Sequence, residues 1–149
     1  MPKAWALPVT MAAVLSVASC SPAFWQGVSD GLAASRGYNG GGHKIMIFGG
    51  SGHQTYLGCL SCSQFDAESV FNEYGHYGSV YSAQAIMNPY SQFGSLYSAT
   101  SACNPYASDP PVIVDEQGTY YGRLTVNHYR RDGPPTAELK DWLAGVCEQ

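Results

Sequence analysis

A sixteen-residue repeat in the middle of the chain places the strongest limit on its fold. ESVFNEYGHYGSVYSA is followed at once by QAIMNPYSQFGSLYSA and then by the start of a third copy, TSACNPYAS. One copy cannot bury its apolar face alone, so we expect the copies to pack on neighbouring segments. Because the unit is shorter than common helical solenoid units, we expect short helical turns, the first running from Asp66 to Gly75, alternating with extended Tyr-Ser pieces.

The tyrosines of the repeats allow two interpretations. Their regular recurrence fits internal packing, which we expect for most of them. Exposed tyrosine can also stack on sugars or dock against a protein with a modest loss of entropy, so an outer subset is a candidate binding surface. The candidates are Tyr74, Tyr77, Tyr81, Tyr90 and Tyr97.

Two similar hairpin patterns flank the repeats. The first consists of KIMIFGG, a turn at SGHQ and the run TYLGCL, and the second of PPVIVD, EQG and TYYGRLTV. TYLGCLS and TYYGRLT align with an offset of 64 residues. Pairing of both hairpins into one small sheet would bury both apolar faces.

Amphipathic helices are predicted near both ends of the chain. Near the C-terminus, Thr136 can cap a helix that covers one face of the sheet, with apolar residues at i, i+3, i+4 and i+7. These residues are Leu139, Trp142, Leu143 and Val146. An N-terminal helix can start at Ser21 and end at Gly37. The predicted fold class is therefore α+β, with a small hairpin-based sheet flanking the repeats and a helix at each end.

The N-terminus is typical of a bacterial lipoprotein. Residues 1–19 combine one lysine, an apolar run too short to span a membrane and small residues before Cys20, which indicates a signal peptide. Cys20 resembles the acylated cysteine of a lipobox, and several acyl chains hold a small protein at a membrane because each methylene contributes about 0.8 kcal/mol. We expect residues 20–42 to form the lipidated N-terminus, short helix and Gly-rich linker, and residues 43–149 one globular domain. Ser21 slightly favours the outer membrane.

The charge distribution argues against a nucleic-acid partner. The whole chain carries a formal charge of −4, and no Lys or Arg lies between Lys44 and Arg123. Binding to a phosphate backbone needs clustered cations. We therefore expect no nucleic-acid binding, despite the abundant aromatic residues.

Four cysteines remain if Cys20 is acylated. Cys59, Cys62, Cys103 and Cys147 are candidate disulfide or thiol residues, and in an exported protein disulfides are the default. Three pairings are open, and a bond between Cys59 and Cys62 requires a turn, because residues three apart in a regular strand point to opposite faces. The alternative is a thiol-redox or metal-binding protein centred on that pair. We expect no metal and no other cofactor.

Two further patterns resemble catalytic motifs only superficially. Ser51 and His53 lie in GGSGH, where a nucleophile elbow would require glycine at the place of His53, so a hairpin turn is expected instead. Asp115 and Glu116 precede Gly118 and are expected to be solvated turn residues rather than a catalytic pair. We therefore expect a protein without catalytic activity.

The segments FWQG, TYLGCLSC, SVFNEYG, NPYASDPPVIVD and YYGRLTVN together resemble an uncharacterised family of bacterial envelope lipoproteins with Tyr-, Gly- and Asn-rich repeats. The resemblance extends over roughly residues 24–127 and includes no catalytic signature. It implies lipid anchoring and a single repeated module. The expected function is that of a lipid-anchored periplasmic protein, a binding or structural module that contacts another envelope protein or a glycan.

Overall fold

The computed structural model describes residues 43–148 of the chain. The predicted signal peptide of residues 1–19 and the lipidated N-terminus, helix and linker of residues 20–42 lie outside the described residues, as does Gln149. Within the described part, no helix is both long and apolar enough to cross a membrane.

Four short strands form one antiparallel sheet. The strands are β1 (Ile45–Gly49), β2 (Thr55–Cys59), β3 (Val112–Asp115) and β4 (Tyr120–Arg123). Their spatial order is β2-β1-β3-β4, so the two hairpins meet where β1 pairs with β3. Ile47 and Ile113 lie opposite each other in this pairing, and both are fully buried. The predicted pairing of both hairpins into one sheet is confirmed.

The two hairpins share a β-bulge at equivalent positions. In β2, Leu57 is the extra residue between the paired Tyr56 and Gly58, and in β4 the extra residue is Tyr121. The glycine that follows each bulge, Gly58 or Gly122, has a φ of 118° or 138°, a region that favours glycine. The bulge brings the extra side chain, Leu57 or Tyr121, into the core. The two segments that align at an offset of 64 residues therefore share one backbone geometry.

The predicted C-terminal helix is confirmed. Helix α1 spans Ala137–Cys147, and the Thr136 hydroxyl oxygen accepts a hydrogen bond from the N–H of Leu139. This bond satisfies one of the free amides at the helix start. The buried residues of α1 are the four of the sequence pattern, Leu139, Trp142, Leu143 and Val146.

Residues 63–110, called the repeat segment below, lie against both the sheet and the helix. On the sheet side, the ring of Phe93 lies beside Gly49 of β1, where a Cβ would stand 3.1 Å from Phe93 Cε1 and 2.6 Å from Leu57 Cδ1. On the helix side, the Phe71 and Trp142 rings meet edge to face, with 5.3 Å between centroids. The buried residues of α1 belong to the same hydrophobic core as those of the sheet, and Trp142 adds a ring contact with the repeat segment.

The repeat segment consists of consecutive turns, at the place where the sequence predicts short helical turns. Most of its backbone–backbone hydrogen bonds run from an N–H to the carbonyl three residues earlier, as from Asn88 to Ala85 at 3.3 Å. The predicted cap residue Asp66 accepts a hydrogen bond from the Glu68 N–H, but turns follow it. Short polar side chains that bond to nearby amides compete with helix formation, which explains the difference.

Candidate binding surface

The repeat segment contains twelve triplets that begin with a small polar residue. In each, the side-chain oxygen of the first residue accepts a hydrogen bond from the backbone N–H two residues later, over 2.9–3.3 Å. The acceptors are Ser63, Asp66, Ser69, Asn72, Ser79, Ser82, Asn88, Ser91, Ser95, Ser98, Ser101 and Asn104. Side chains therefore satisfy backbone groups that a helix or sheet would pair with other backbone groups.

The three asparagines spaced by sixteen residues make the same pair of hydrogen bonds. Asn72, Asn88 and Asn104 each accept through Oδ1 from the amide two residues later, at 3.1, 2.9 and 2.9 Å. Each also donates through Nδ2 to the carbonyl six residues earlier, at 3.1, 3.0 and 2.9 Å. The carboxamide fits this place because it is both donor and acceptor. The recurring asparagine is therefore a brace of the backbone.

A glycine ends the regular triplets in each of the first two copies. A Cβ at Gly94 would lie 2.3 Å from the Asn88 carbonyl oxygen, and one at Gly78 would lie 2.2 Å from that of Asn72. No side chain fits at such distances. The next triplet begins four rather than three residues after the previous one, which gives the copy its sixteen residues. Pro110 occupies the equivalent place in the third copy, just before β3.

The last position of several triplets presents a tyrosine to solvent. Of the five candidates, four have side chains that are 90–98% exposed: Tyr74, Tyr81, Tyr90 and Tyr97. The backbone N–H of each is the donor in a triplet hydrogen bond. Tyr77 differs, since it is half-buried and meets the Tyr56 ring edge to face at 5.0 Å. The expectation that most repeat tyrosines pack inside the domain is therefore wrong.

Two further tyrosines have the same geometry and escaped the sequence reasoning. Tyr106 is 91% and Tyr129 is 96% exposed, and their amides bond to the side chains of Asn104 and Asn127. The pattern Asn-x-Tyr, already present in the repeats, was the signal that would have identified both. Together with the four candidates, they form what we call the exposed tyrosine set.

Buried aromatic residues occupy other triplets of the same segment. Phe71 and Phe93 also follow a serine by two residues, yet they are only 7% and 5% exposed. The serines that hold them, Ser69 and Ser91, are themselves buried. One local geometry therefore serves both the core and the surface, and the direction that each triplet faces decides which.

An open groove of about 670 Å³ lies between the repeat segment and α1. This volume falls within the range of about 300–1,000 Å³ that is common for ligand sites. Its apolar lining includes Val70, Phe71, Met87, Trp142 and Val146, and Tyr74 and Tyr81 of the exposed tyrosine set border it. Two acidic residues, Glu73 and Asp141, also line the groove. The groove thus combines an aromatic wall with negative charge.

The four described cysteines form two disulfides, Cys59–Cys62 and Cys103–Cys147. Strand β2 ends at Cys59 and the chain turns there, which meets the requirement for a bond between residues three apart. The second disulfide ties the third repeat copy to the end of α1. Among residues 43–148, no group of three or more His, Cys, Asp or Glu side chains is placed to hold a metal ion.

Ser51 and His53 lie in the short 3₁₀ turn between β1 and β2. His53 Nε2 is 3.0 Å from Asp109 Oδ1 and 3.3 Å from Arg123 Nη1, and no hydrogen bond joins it to Ser51 in the described residues. The hydrogen bond from Arg123 lowers the pKa of the Asp109 carboxyl, while burial opposes this shift. The cluster joins the first hairpin, the second hairpin and the end of the repeat segment, which is a structural role.

Asp115 is buried, in contrast to the solvated position that the sequence suggests. It is 3% exposed, and Oδ1 accepts hydrogen bonds from the amides of Gln117 and Thr119 at 2.9 and 2.8 Å. Oδ2 accepts one from the Tyr121 hydroxyl at 3.1 Å. Burial acts to raise the pKa of this carboxyl, but the hydrogen bonds from Thr119, Gln117 and Tyr121 outweigh it and hold the pKa below its ordinary value. Glu116 is exposed, as expected.

The described residues thus define a small, disulfide-bonded α+β domain that displays tyrosines on ordered turns. Comparison of the chain with protein-family models, with curated proteins and with solved structures gave no match.

Proposed function

We propose that the protein is a lipid-anchored, non-catalytic binding module of the bacterial cell envelope, which contacts an envelope protein or a glycan through its exposed tyrosine set. The observation that carries this proposal is the common geometry of the six tyrosines. All are at least 90% exposed, and each is placed by a turn that its own backbone N–H helps to close.

Ordered turns make exposed tyrosines effective in binding. A tyrosine ring offers a large contact area and has only two side-chain torsions to immobilise, and a fixed backbone reduces the entropy lost on association. The hydroxyl group adds a hydrogen bond to a partner protein or a sugar. Five of the six rings lie between Lys44 and Arg123, where the sequence has no Lys or Arg, so phosphate-rich partners are disfavoured at those five.

The proposed location rests on the sequence of the N-terminus and on the disulfides. Residues 1–19 act as the signal peptide, and acyl chains on Cys20 hold the protein at a membrane facing the periplasm, with the outer membrane slightly favoured. Two disulfides in a domain of this size suit an oxidising compartment. The resemblance to envelope lipoproteins supports the same location.

Site-specific photocrosslinking in the native cells tests the binding role. Benzoylphenylalanine replaces Tyr74, Tyr81, Tyr90 or Tyr97 one at a time, and Glu116 serves as the control position because it is exposed in the β3–β4 turn, outside the exposed tyrosine set. We expect one discrete adduct that recurs from at least two repeat positions. The binding role is contradicted if all four positions give only the background that position 116 gives.

The lipid anchor is tested separately. We expect labelled palmitate to enter the wild-type protein and the Cys62→Ala variant, but not Cys20→Ala, which should leave the membrane fraction. Label that persists in Cys20→Ala would show that the anchor is elsewhere, and would leave the crosslinking result unaffected.

A further inference from the structure

The groove between the repeat segment and α1 holds two carboxylates without an ion-pair partner in the described part of the chain. Glu73 and Asp141 are both exposed and both line the groove, and neither takes part in any ion pair among residues 43–148. Two other acidic residues of the repeat segment, Glu68 and Asp109, each contact a cation, and Asp66 accepts a hydrogen bond from the Glu68 N–H. The groove therefore carries negative charge that the described residues do not neutralise.

The wall beside these carboxylates is aromatic and apolar. Phe71 and Trp142 form one edge-to-face pair, and Met87 lies in the same lining. The rings of Tyr74 and Tyr81, 98% and 91% exposed, border the groove. Aromatic faces attract cations through the negative charge density of the ring face. Both the charge and the rings thus favour a positively charged occupant with apolar parts.

We propose that this groove binds a segment of a partner protein that carries arginine or lysine between apolar residues. Resting on the proposed function, this inference gives the chemistry of the partner. The cationic head of such a residue would pair with Glu73 and Asp141, and its aliphatic stem would cover the apolar lining. Arginine fits best, because its guanidinium can both pair with a carboxylate and stack on a tyrosine ring.

A neutral glycan matches this groove less well than a basic protein segment. Sugars stack on tyrosine, but they supply no charge to complement the two carboxylates. Anionic partners, such as phosphate-bearing polymers, would be repelled by Glu73 and Asp141. The lining itself contains no Lys or Arg that would offset this repulsion. Charge complementarity therefore selects the basic protein segment.

Binding of short peptide probes tests the inference. Fluorescently labelled Leu-Arg-Leu-Arg-Leu, and the matched peptides with Gln or Glu in place of Arg, are titrated into the full-length protein in a polyoxyethylene detergent, with fluorescence anisotropy as readout. We expect the Arg peptide to bind at least about 10-fold more tightly than the Gln peptide at low salt, with the difference shrinking as salt screens the charges.

Charge-neutralising variants identify the site. The double variant Glu73→Gln and Asp141→Asn should remove most of the preference for the Arg peptide, about 10-fold in Kd. The control is Glu116→Gln, which neutralises an exposed carboxylate in the β3–β4 turn and should leave Kd unchanged.

The inference would be overturned by equal affinity for the Arg and Gln peptides, or by an unchanged preference for Arg in the double variant. It would also be overturned if a neutral oligosaccharide displaced the labelled Arg peptide and an excess of unlabelled Arg peptide did not. An intramolecular crosslink from position 74 to residues 21–36 would also overturn it, because the occupant would then be the N-terminal segment of the chain itself. A partner crosslinked from the repeat tyrosines that binds the double variant equally well would retain the proposed function and reject only the groove.

Discussion

The sheet and the repeat segment hold their backbones in opposite ways. In the sheet, backbone groups pair with one another, and side chains such as Ile47 and Ile113 are free to fill the core. In the repeat segment, the side chains of Ser, Asn and Asp bond to the backbone, and the residue two positions later is free to face outward. Both regions also repeat internally, with offsets of 64 and 16 residues.

The difference shows how a segment without helices or strands can be ordered and still display large rings. Each triplet needs one small polar residue for the turn, which leaves its last residue available either for the core, as at Phe93, or for the surface, as at Tyr90. An exposed ring thus contributes little to stability, and the polar residue two positions before it contributes more. Mutations should separate these two contributions.

The largest effect on stability should come from Gly94→Ala. The new Cβ would lie 2.3 Å from the Asn88 carbonyl oxygen, and because backbone on both sides must move, we expect the free energy of unfolding to fall by more than about 3 kcal/mol. Chemical denaturation measures this change. The control Gly145→Ala meets no atom within 4 Å in α1 and should be neutral or stabilise by up to about 1 kcal/mol. Equal stabilities of the two variants would show that the repeat backbone is not tightly constrained.

A smaller effect is expected from Asp115→Asn in the second hairpin. The folded-state pKa of Asp115 is lowered, so its carboxylate stabilises the protein fully above the unfolded pKa of about 4, and this contribution is lost as the pH falls through the folded pKa. At pH 7 we expect the free energy of unfolding of the variant to be about 2 kcal/mol lower than that of the wild type. On further acidification, the free energy of unfolding should fall less in the variant than in the wild type. Parallel stability curves for the two proteins between pH 6 and 2 would show that the carboxylate is not the group that matters.

A still smaller loss of stability should come from Asn88→Ala. It removes the hydrogen bond to the Tyr90 amide and the one to the Ser82 carbonyl, so we expect a loss of about 1.5 kcal/mol by thermal or chemical denaturation. Asn88→Asp keeps the acceptor but places a carboxylate oxygen next to the Ser82 carbonyl, and it should be at least as destabilising. As a control, Tyr90→Ser should change stability by less than about 0.5 kcal/mol, because that side chain is 94% exposed. A larger loss from Tyr90→Ser than from Asn88→Ala would reverse the roles assigned here.

The parts of the fold that depend on apolar periodicity could be predicted from the sequence. Runs of strand-forming residues separated by turn patterns identified the two hairpins, and the 3.6-residue period in α1 identified the four buried residues of the helix. The Thr136 cap followed from its position before that pattern. The hairpins and the buried face of the helix come from apolar side chains, for which the core is the favourable environment.

The direction of the tyrosines and the burial of Asp115 could not be predicted in the same way. Phe93 and Tyr90 both occupy the last position of a triplet, and only the contact of Phe93 with the sheet distinguishes them. The buried carboxylate of Asp115 accepts a hydrogen bond from the hydroxyl of Tyr121, the extra residue of the bulge in β4. The groove likewise exists only because α1 lies against the first two repeat copies. All three depend on contacts between segments far apart in the sequence.

Amide hydrogen exchange at Tyr90 tests the central claim most directly, since its side chain is almost fully exposed while its N–H bonds to Asn88 Oδ1 at 2.9 Å. The account predicts exchange at least about 100-fold slower than in an unstructured peptide, with that protection lost selectively in Asn88→Ala. Exchange at the unstructured rate in the wild type, while Ile47 in the sheet stays protected, would show that the turns do not hold the tyrosines in place and would contradict the account.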